Sequence, residues 1–192
     1  MHKLANKNNK NKIDQESSNP NFNFYSSVPE NCKNQSFVQY LPSYDPTLDS
    51  LPIAQAVTEY INRLRSNMGI TKKLTNDSQL NRIANLKARD MADNKYFAHN
   101  SPTYGGAVQM TKDQGFWTNC VWENIGYGPT TAYDAFTLWF CSPPHFSTMT
   151  NTKLDTIGVG FAQGQDYEEF FRNNKWAAMF ASTEDRGQLN CF

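Results

Sequence analysis

The sequence of 192 residues lacks any apolar run near the roughly 20 residues that span a bilayer, which excludes a transmembrane protein. It also lacks an excess of either charge: 18 basic and 18 acidic residues cancel, whereas a nucleic-acid-binding protein presents a strongly basic field. Glycine (10) and proline (9) are too few for a fibrous or low-complexity protein. Aromatic residues make up 14%, so we expect one folded domain with a substantial core plus an extension.

Common catalytic signatures are missing as well. The sequence contains no GxSxG, HExxH or GxxxxGK[ST] pattern. The series Gly158-x-Gly160-x-x-x-Gly164 is one residue too long for a dinucleotide-binding loop. Because it lies in a strand-like segment, these glycines predict close packing of another element against a strand.

The N-terminal stretch predicts a tail. Residues 1–12 are rich in Asn and Lys and hold no apolar signal core, so either the protein is cytosolic or an export signal has been removed. We expect a disordered, solvated tail over 1–20, an extended arm packing on the domain over 21–51, and the folded domain over 52–192.

The four cysteines are Cys32, Cys120, Cys141 and Cys191, and none forms a CxxC pair, which disfavours a structural zinc site. Their positions near the chain ends and near the candidate site lead us to expect the disulfides Cys32–Cys191 and Cys120–Cys141. Such bridges imply an oxidising compartment. Four reduced, buried thiols are the alternative.

Apolar residues at helical spacing predict two long helices. The first covers residues 53–68 before Gly69, and the second begins at Asp77 or Ser78 and ends near Tyr96. In the second helix Leu80, Ile83, Ala84, Ala88 and Met91 are expected inward, and Arg82, Lys87 and Arg89 outward.

The second half of the chain predicts two short helices and two strands. One helix covers 106–115, and another begins at Thr130 or Thr131 and stops at Pro143 and Pro144. Buried strands are predicted over 156–162 and 175–181. The expected class is α+β, with helices flanking a small, mostly antiparallel sheet.

Three polar residues stand in unusual settings. His99 follows the second helix, His145 follows two prolines, and Glu123 interrupts an apolar run. Two imidazoles and a carboxylate suit an open divalent-metal site completed by water. Separate structural roles, such as a capping histidine and a glutamate bonded to backbone amides, are the alternative from composition alone.

Several segments in order resemble one known family across residues 54–182, about two thirds of the chain. They are Leu80-x-x-x-Ala84-x-x-x-Ala88-x-x-Met91-Ala92, Tyr96-Phe97-Ala98-His99-Asn100-Ser101-Pro102, Glu123-Asn124-Ile125, Trp139-x-x-Ser142-Pro143-x-His145, Ile157-Gly158-Val159-Gly160-Phe161 and a final strand with Trp176. The series resembles the CAP superfamily of cysteine-rich secretory proteins, antigen 5 and plant pathogenesis-related proteins, in its bacterial secreted, SCP-like form.

The resemblance implies a three-layer α-β-α sandwich with a wide cleft. The family cleft holds a His–Glu–Glu–His tetrad that can bind a divalent cation, often zinc. His99, Glu123 and His145 match three members, and Ser142 stands where the second glutamate is expected. The lost carboxylate should weaken metal binding.

The resemblance also implies a secreted, extracellular, monomeric binding module that engages a lipid, a sterol or a partner protein, without a general catalytic activity. Aromatic residues flanking the site motifs are candidates for an apolar groove: Tyr96, Phe97, Tyr104, Phe116, Trp117, Tyr127 and Phe146. Ordinary core packing is the alternative for them. The other two functional hypotheses are a metal-dependent hydrolase, with Glu123 as base or ligand, and a purely structural domain.

Overall fold

The computed structural model describes residues 28–164 and 173–183. The chain divides into two units, residues 1–35 and 36–192. In the first unit, the described residues form the short helix α1 (Glu30–Lys33), within which Lys33 and Glu30 form an ion pair of 2.6 Å. The predicted tail over 1–20 lies outside the described residues, and the domain boundaries remain predictions.

The second unit contains the helices and strands that carry the site. Its helices are α2 (Ile53–Asn67), α3 (Ser78–Asp93), α4 (Ala107–Asp113), α5 (Ala132–Phe140) and α6 (Pro143–Thr150), and its strands are β1 (Thr75–Asn76), β2 (Val121–Tyr127), β3 (Thr156–Ala162) and β4 (Lys175–Ala181). Two 3-10 turns, Val38–Tyr40 and Pro46–Ser50, precede α2. No helix among the described residues has the length and apolar character needed to cross a bilayer.

The strands form one sheet in the order β1-β3-β4-β2. Strands β3, β4 and β2 are antiparallel, and only the short β1 pairs in parallel, with β3. The predicted α+β class with a mostly antiparallel sheet is therefore confirmed. Strand β2 lies at the edge, and its register places Glu123 opposite Met179 of β4.

Helices cover both faces of the sheet, which gives the predicted three layers. Helices α3 and α4 pack on one face, and α2, α5 and α6 pack on the other. The core under α3 and α4 consists of Leu80, Ile83, Ala84, Ala88, Met91, Met110, Phe116, Ile125, Ala162, Ala177, Met179 and Ala181. On the other face the indole of Trp139 donates a hydrogen bond of 2.9 Å to the carbonyl of Ile125, which ties α5 to β2.

The prediction that Pro143 and Pro144 end α5 is confirmed, and the two prolines also begin α6, because proline suits the first helical positions, where the amide has no acceptor. Strand β2 was not predicted, since Glu123 and Asn124 make its pattern neither alternating nor continuously apolar. The edge strand is thus the element whose identity depends on tertiary pairing with β4.

The disulfide pairing also differs from the prediction. Cys32 is bonded to Cys141, so the predicted pairs Cys32–Cys191 and Cys120–Cys141 are both wrong. Cys120 is also oxidised to a disulfide, and Cys191 lies outside the described residues. Cys120 directly precedes β2, where its carbonyl accepts a hydrogen bond from Ser182 after β4, and Cys141 directly follows helix α5, so the pairing depends on tertiary positions that nearness along the chain does not show.

The glycines of β3 let α3 approach the sheet at backbone distance, as the sequence predicted. A Cβ on Gly158 would lie 2.1 Å from the carbonyl carbon of Leu80, and one on Gly160 would lie 2.1 Å from that of Ala84. Side-chain amides complete this seam, because Asn81 and Asn85 accept hydrogen bonds from the β3 amides of Val159 and Phe161. The position of α3 on the sheet is fixed by this contact.

We predict that Gly160→Ala lowers the free energy of unfolding by about 3 kcal/mol or more, because the new methyl group meets backbone that cannot rotate away. Gly106→Ala is the matched control, since its Cβ would meet nothing closer than Asn100 Oδ1 at 3.9 Å, and it should cost within about 1 kcal/mol. Urea unfolding followed by tryptophan fluorescence measures both. Equal costs for the two variants would contradict the close-packing interpretation.

Candidate functional site

The candidate site forms where the His99 loop, residues 94–106 between α3 and α4, lies along the edge strand β2. One anchor of this loop is Asp90, a buried residue in the last turns of α3. Its carboxylate accepts hydrogen bonds from Ser101 Oγ at 2.6 Å, Thr103 Oγ1 at 2.8 Å, Asn94 Nδ2 at 2.8 Å and the hydroxyl of Tyr96. Burial raises the pKa of Asp90, but these hydrogen bonds outweigh it, so the pKa lies below its usual value.

A second anchor is Lys87, one turn before Asp90. Its side chain is buried, with 1% of the residue exposed, and Nζ donates hydrogen bonds to the carbonyls of Ala98 at 2.7 Å and His99 at 2.8 Å. Burial lowers the pKa of Lys87, and the charges of Glu123 and Asp90 oppose that effect. The lysine therefore holds the loop's main chain at the residue that carries the candidate imidazole.

The sequence predicted that Lys87 points outward with Arg82 and Arg89, and this prediction is wrong because Lys87 is buried. Lys87 follows Ile83 by four residues and precedes Met91 by four, so it lies on the apolar face of α3. The periodicity itself was the signal that could have identified a buried lysine. A charged residue on that face requires local partners, and the loop carbonyls supply them.

His99 and Glu123 form the centre of the site. His99 Nδ1 and Glu123 Oε1 are 2.7 Å apart, and their side chains differ sharply in exposure, at 63% for the histidine and 4% for the glutamate. The hydrogen bond to Glu123 raises the pKa of His99, and this effect exceeds the opposing effect of burial. The structure thus brings together two of the three residues singled out from the sequence.

His145 lies in the first turn of α6, and its main chain is tied to β2. Asn124 directly follows Glu123 in sequence, and its side-chain Nδ2 donates a hydrogen bond of 3.1 Å to the main-chain carbonyl of His145. Burial lowers the pKa of His145, and the charge of His99 lowers it further. The two histidines are therefore electrostatically coupled while burial and hydrogen bonding shift their pKa values in opposite directions.

Two buried polar atoms of these residues lack a hydrogen-bond partner: Glu123 Oε2 and His145 Nδ1. Within residues 28–164 and 173–183, however, no group of three or more His, Cys, Asp or Glu side chains is arranged to hold a metal ion. Ser142, at the position expected for a second glutamate, precedes α6 without a side-chain capping bond. The metal set His99, Glu123 and His145 remains a prediction.

The predicted aromatic groove is only partly exposed. Phe97 and Tyr127 are exposed, and their rings meet edge to face at 5.9 Å. Because Phe97 precedes His99 by two residues and Tyr127 follows Glu123 on the same face of β2, an aromatic pair accompanies the polar pair along the strand. Trp117 is also exposed, on the connection before β2.

The other aromatic candidates belong to packing. Phe116 is buried in the core under α3 and α4, and Tyr96 and Tyr104 pack against that core. Phe146 stacks on Phe37 with ring centroids 3.9 Å apart. Sequence position near the site was therefore insufficient to separate exposed rings from core rings.

Comparison with known proteins identifies the family of this architecture. A family model described as CAP, the cysteine-rich secretory protein family, matches residues 58–177. The uncharacterized protein YkwD of Bacillus subtilis is 36% identical over 107 residues, which are 56% of this chain and 41% of YkwD. The chain thus spans less than half the length of this relative.

Two solved structures share the fold. An extracellular protein containing an SCP domain from Bacillus anthracis has a TM-score of 0.60 and 23% identity, over 74% of this chain and 45% of that one. An outer surface protein of Borrelia burgdorferi has a TM-score of 0.58 and 20% identity, over 67% of this chain and 90% of that one. At these identities the likeness shows the fold alone.

We predict that the two histidines affect stability with opposite pH dependence. The raised pKa of His99 means that its protonation stabilises the folded state; this contribution is full below a pH of about 6.5 and disappears as pH rises through the raised value. The lowered pKa of His145 means that stability is lost as pH falls below about 6.5.

Urea unfolding of wild type, His99→Asn and His145→Asn between pH 5 and 9 tests this prediction. The advantage of wild type over His99→Asn should grow toward acid, and its advantage over His145→Asn should shrink. Parallel profiles for the two variants would show that the two imidazoles share one environment, contrary to the geometry.

Proposed function

This chain belongs to the cysteine-rich secretory protein (CAP) family, and we propose that it acts as an extracellular, non-catalytic binding module. The observation that carries the proposal is the His99–Glu123 pair, in which a nearly buried carboxylate is joined at 2.7 Å to a solvent-exposed imidazole. The extracellular placement is supported by a disulfide and by the extracellular and outer-surface proteins that share the fold.

The polar end of the proposed site is preorganised. Glu123 is held in the edge strand by its pairing with β4, and the main chain beside His99 is held by Lys87. A ligand hydroxyl or head group meeting His99 would therefore encounter a fixed hydrogen-bonding group and not a freely rotating side chain. Such preorganisation lowers the entropy cost of binding.

The apolar end is the pair of Phe97 and Tyr127. Exposed aromatic rings cost solvation free energy that a ligand with an apolar body would recover on binding. A polar pair beside an aromatic pair therefore favours an amphipathic small molecule, a lipid or a sterol. A partner protein with a similar apolar and polar patch is the alternative occupant.

We predict that Phe97→Ala combined with Tyr127→Ala weakens uptake of a fluorescent sterol or fatty acid by about tenfold or more, because the apolar contact area is lost. Leu51→Ala is the control, since it removes another exposed apolar side chain from a different segment. Organic-solvent extraction of the purified protein provides a second measurement. A clean extract together with no uptake by wild type would contradict lipid binding and leave the partner protein.

A divalent metal, zinc first, is the second proposed ligand. The donor set of two imidazoles and one carboxylate suits zinc, and Glu123 Oε2 and His145 Nδ1 are buried without a partner in the protein. When bound, such an ion would supply positive charge beside Glu123. His99, Glu123 and His145 would have to rearrange to hold the ion, because the described side chains do not form a metal-binding group as they stand, and Ser142 offers no carboxylate as a further ligand.

We predict that isothermal titration with zinc shows binding to wild type that His99→Ala reduces about tenfold or more, since one ligand is removed. Ser142→Glu should strengthen binding by restoring a carboxylate at the family position. Identical affinities of wild type and His99→Ala would reject metal binding at this site.

A screen with peptide, ester and phosphate substrates, with and without a chelator, separates the binding module from a hydrolase. Chelator-sensitive turnover that depends on Glu123 would replace the present proposal with metal-dependent hydrolysis. Absence of turnover, of lipid uptake and of zinc binding together would leave a protein-binding module or a purely structural domain.

A further inference from the structure

We propose that Lys87 is the positioning residue of the His99–Glu123 pair: its buried ammonium group fixes the main chain at residues 98–99 so that the His99 imidazole reaches the Glu123 carboxylate. The inference rests on the site proposed above and assigns a role to a residue outside it. In this role Lys87 acts through the main chain of His99.

The contacts of Lys87 converge on two consecutive carbonyls. Nζ lies 2.7 Å from the oxygen of Ala98 and 2.8 Å from the oxygen of His99, and it lies 3.4 Å from the Tyr96 hydroxyl and 5.1 Å from the centre of the Tyr96 ring. An ammonium group has three donors, so two are committed to the loop's main chain. Fixing both carbonyls restricts the two peptide planes on either side of the His99 Cα, from which the imidazole projects.

The buried ammonium group of Lys87 needs nearby polar partners. Ile83 and Met91, four residues to either side on the same face of α3, are apolar and pack in the core. A buried ammonium is costly unless it is hydrogen-bonded and near an opposite charge, and the carboxylates that act on Lys87 are Asp90 and Glu123. The same cation thus contacts the main chain of His99 and attracts the carboxylate that His99 binds.

Lys87 and Asp90 bind different parts of the His99 loop. Asp90 binds the side chains of Ser101 and Thr103, which follow His99, and of Asn94 and Tyr96, which precede it. Lys87 alone of the two contacts the main chain at residues 98–99. Removal of Lys87 should therefore release His99 while the Asp90 contacts keep the rest of the loop in place.

The test is the tautomer of His99, measured by nitrogen-15 NMR of the full chain at a pH where the ring is neutral. If Glu123 accepts from Nδ1–H, the neutral ring carries its proton on Nδ1, so the ring nitrogen shifts report whether the bond exists. We expect the Nδ1–H form to dominate in wild type and to be lost as the major form in Lys87→Met, which keeps length and loses charge and donors.

Arg82→Met is the matched control, because Arg82 lies on the exposed face of the same helix, and it should keep the wild-type tautomer. Lys87→Arg, which returns charge and donors, should recover the Nδ1–H form at least in part. A folded Lys87→Met protein that retains the wild-type ring shifts overturns the proposal, since Lys87 would then serve packing alone.

A measurement on wild type covers the case in which Lys87→Met does not fold. Scalar couplings across the hydrogen bonds from Lys87 Nζ to the carbonyl carbons of Ala98 and His99 should be detectable, and their absence also overturns the proposal. None of these readouts needs a ligand, so failure of lipid or zinc binding would count against the proposed function without altering their outcome.

Discussion

The near-complete burial of the Glu123 carboxylate is the constraint on which the site depends. Its strand is fixed by seven-residue pairing with β4, and only 4% of the Glu123 side chain is exposed. A buried charge without a partner costs several kcal/mol. His99 supplies the hydrogen bond, and the structure around His99 is organised to keep it there.

The layers of the fold explain how that organisation is achieved. The glycines of β3 bring α3 against the sheet at backbone distance, and α3 in turn presents Lys87 and Asp90 from its last turns to the loop that follows. Close packing at one end of helix α3 thus helps to fix the loop of the candidate site at its other end. The candidate site lies partly on a loop, but contacts with helix α3 and the edge strand β2 fix the position of that loop.

The sequence predicted much of this arrangement, and the omissions have physical causes. Helices α2 and α3 followed from apolar periodicity, and β3 and β4 from their apolar runs. Strand β2 could not be predicted because Glu123 and Asn124 are stabilised there by contacts from His99 and with His145, which are distant in sequence. Disulfide pairing failed for the same reason, since it depends on which layer holds each cysteine. Lys87 was predicted to point outward because lysine is usually exposed, although its spacing places it on the apolar face of α3.

The commitment of His99 Nδ1 to Glu123 leaves Nε2 as the only ring nitrogen not bound to the glutamate. In the neutral ring this atom is a lone-pair acceptor, and in the imidazolium it is a donor with a positive charge. Protonation of this one side chain would therefore change its preferred partner from a hydrogen-bond donor, such as a hydroxyl group, to an anion.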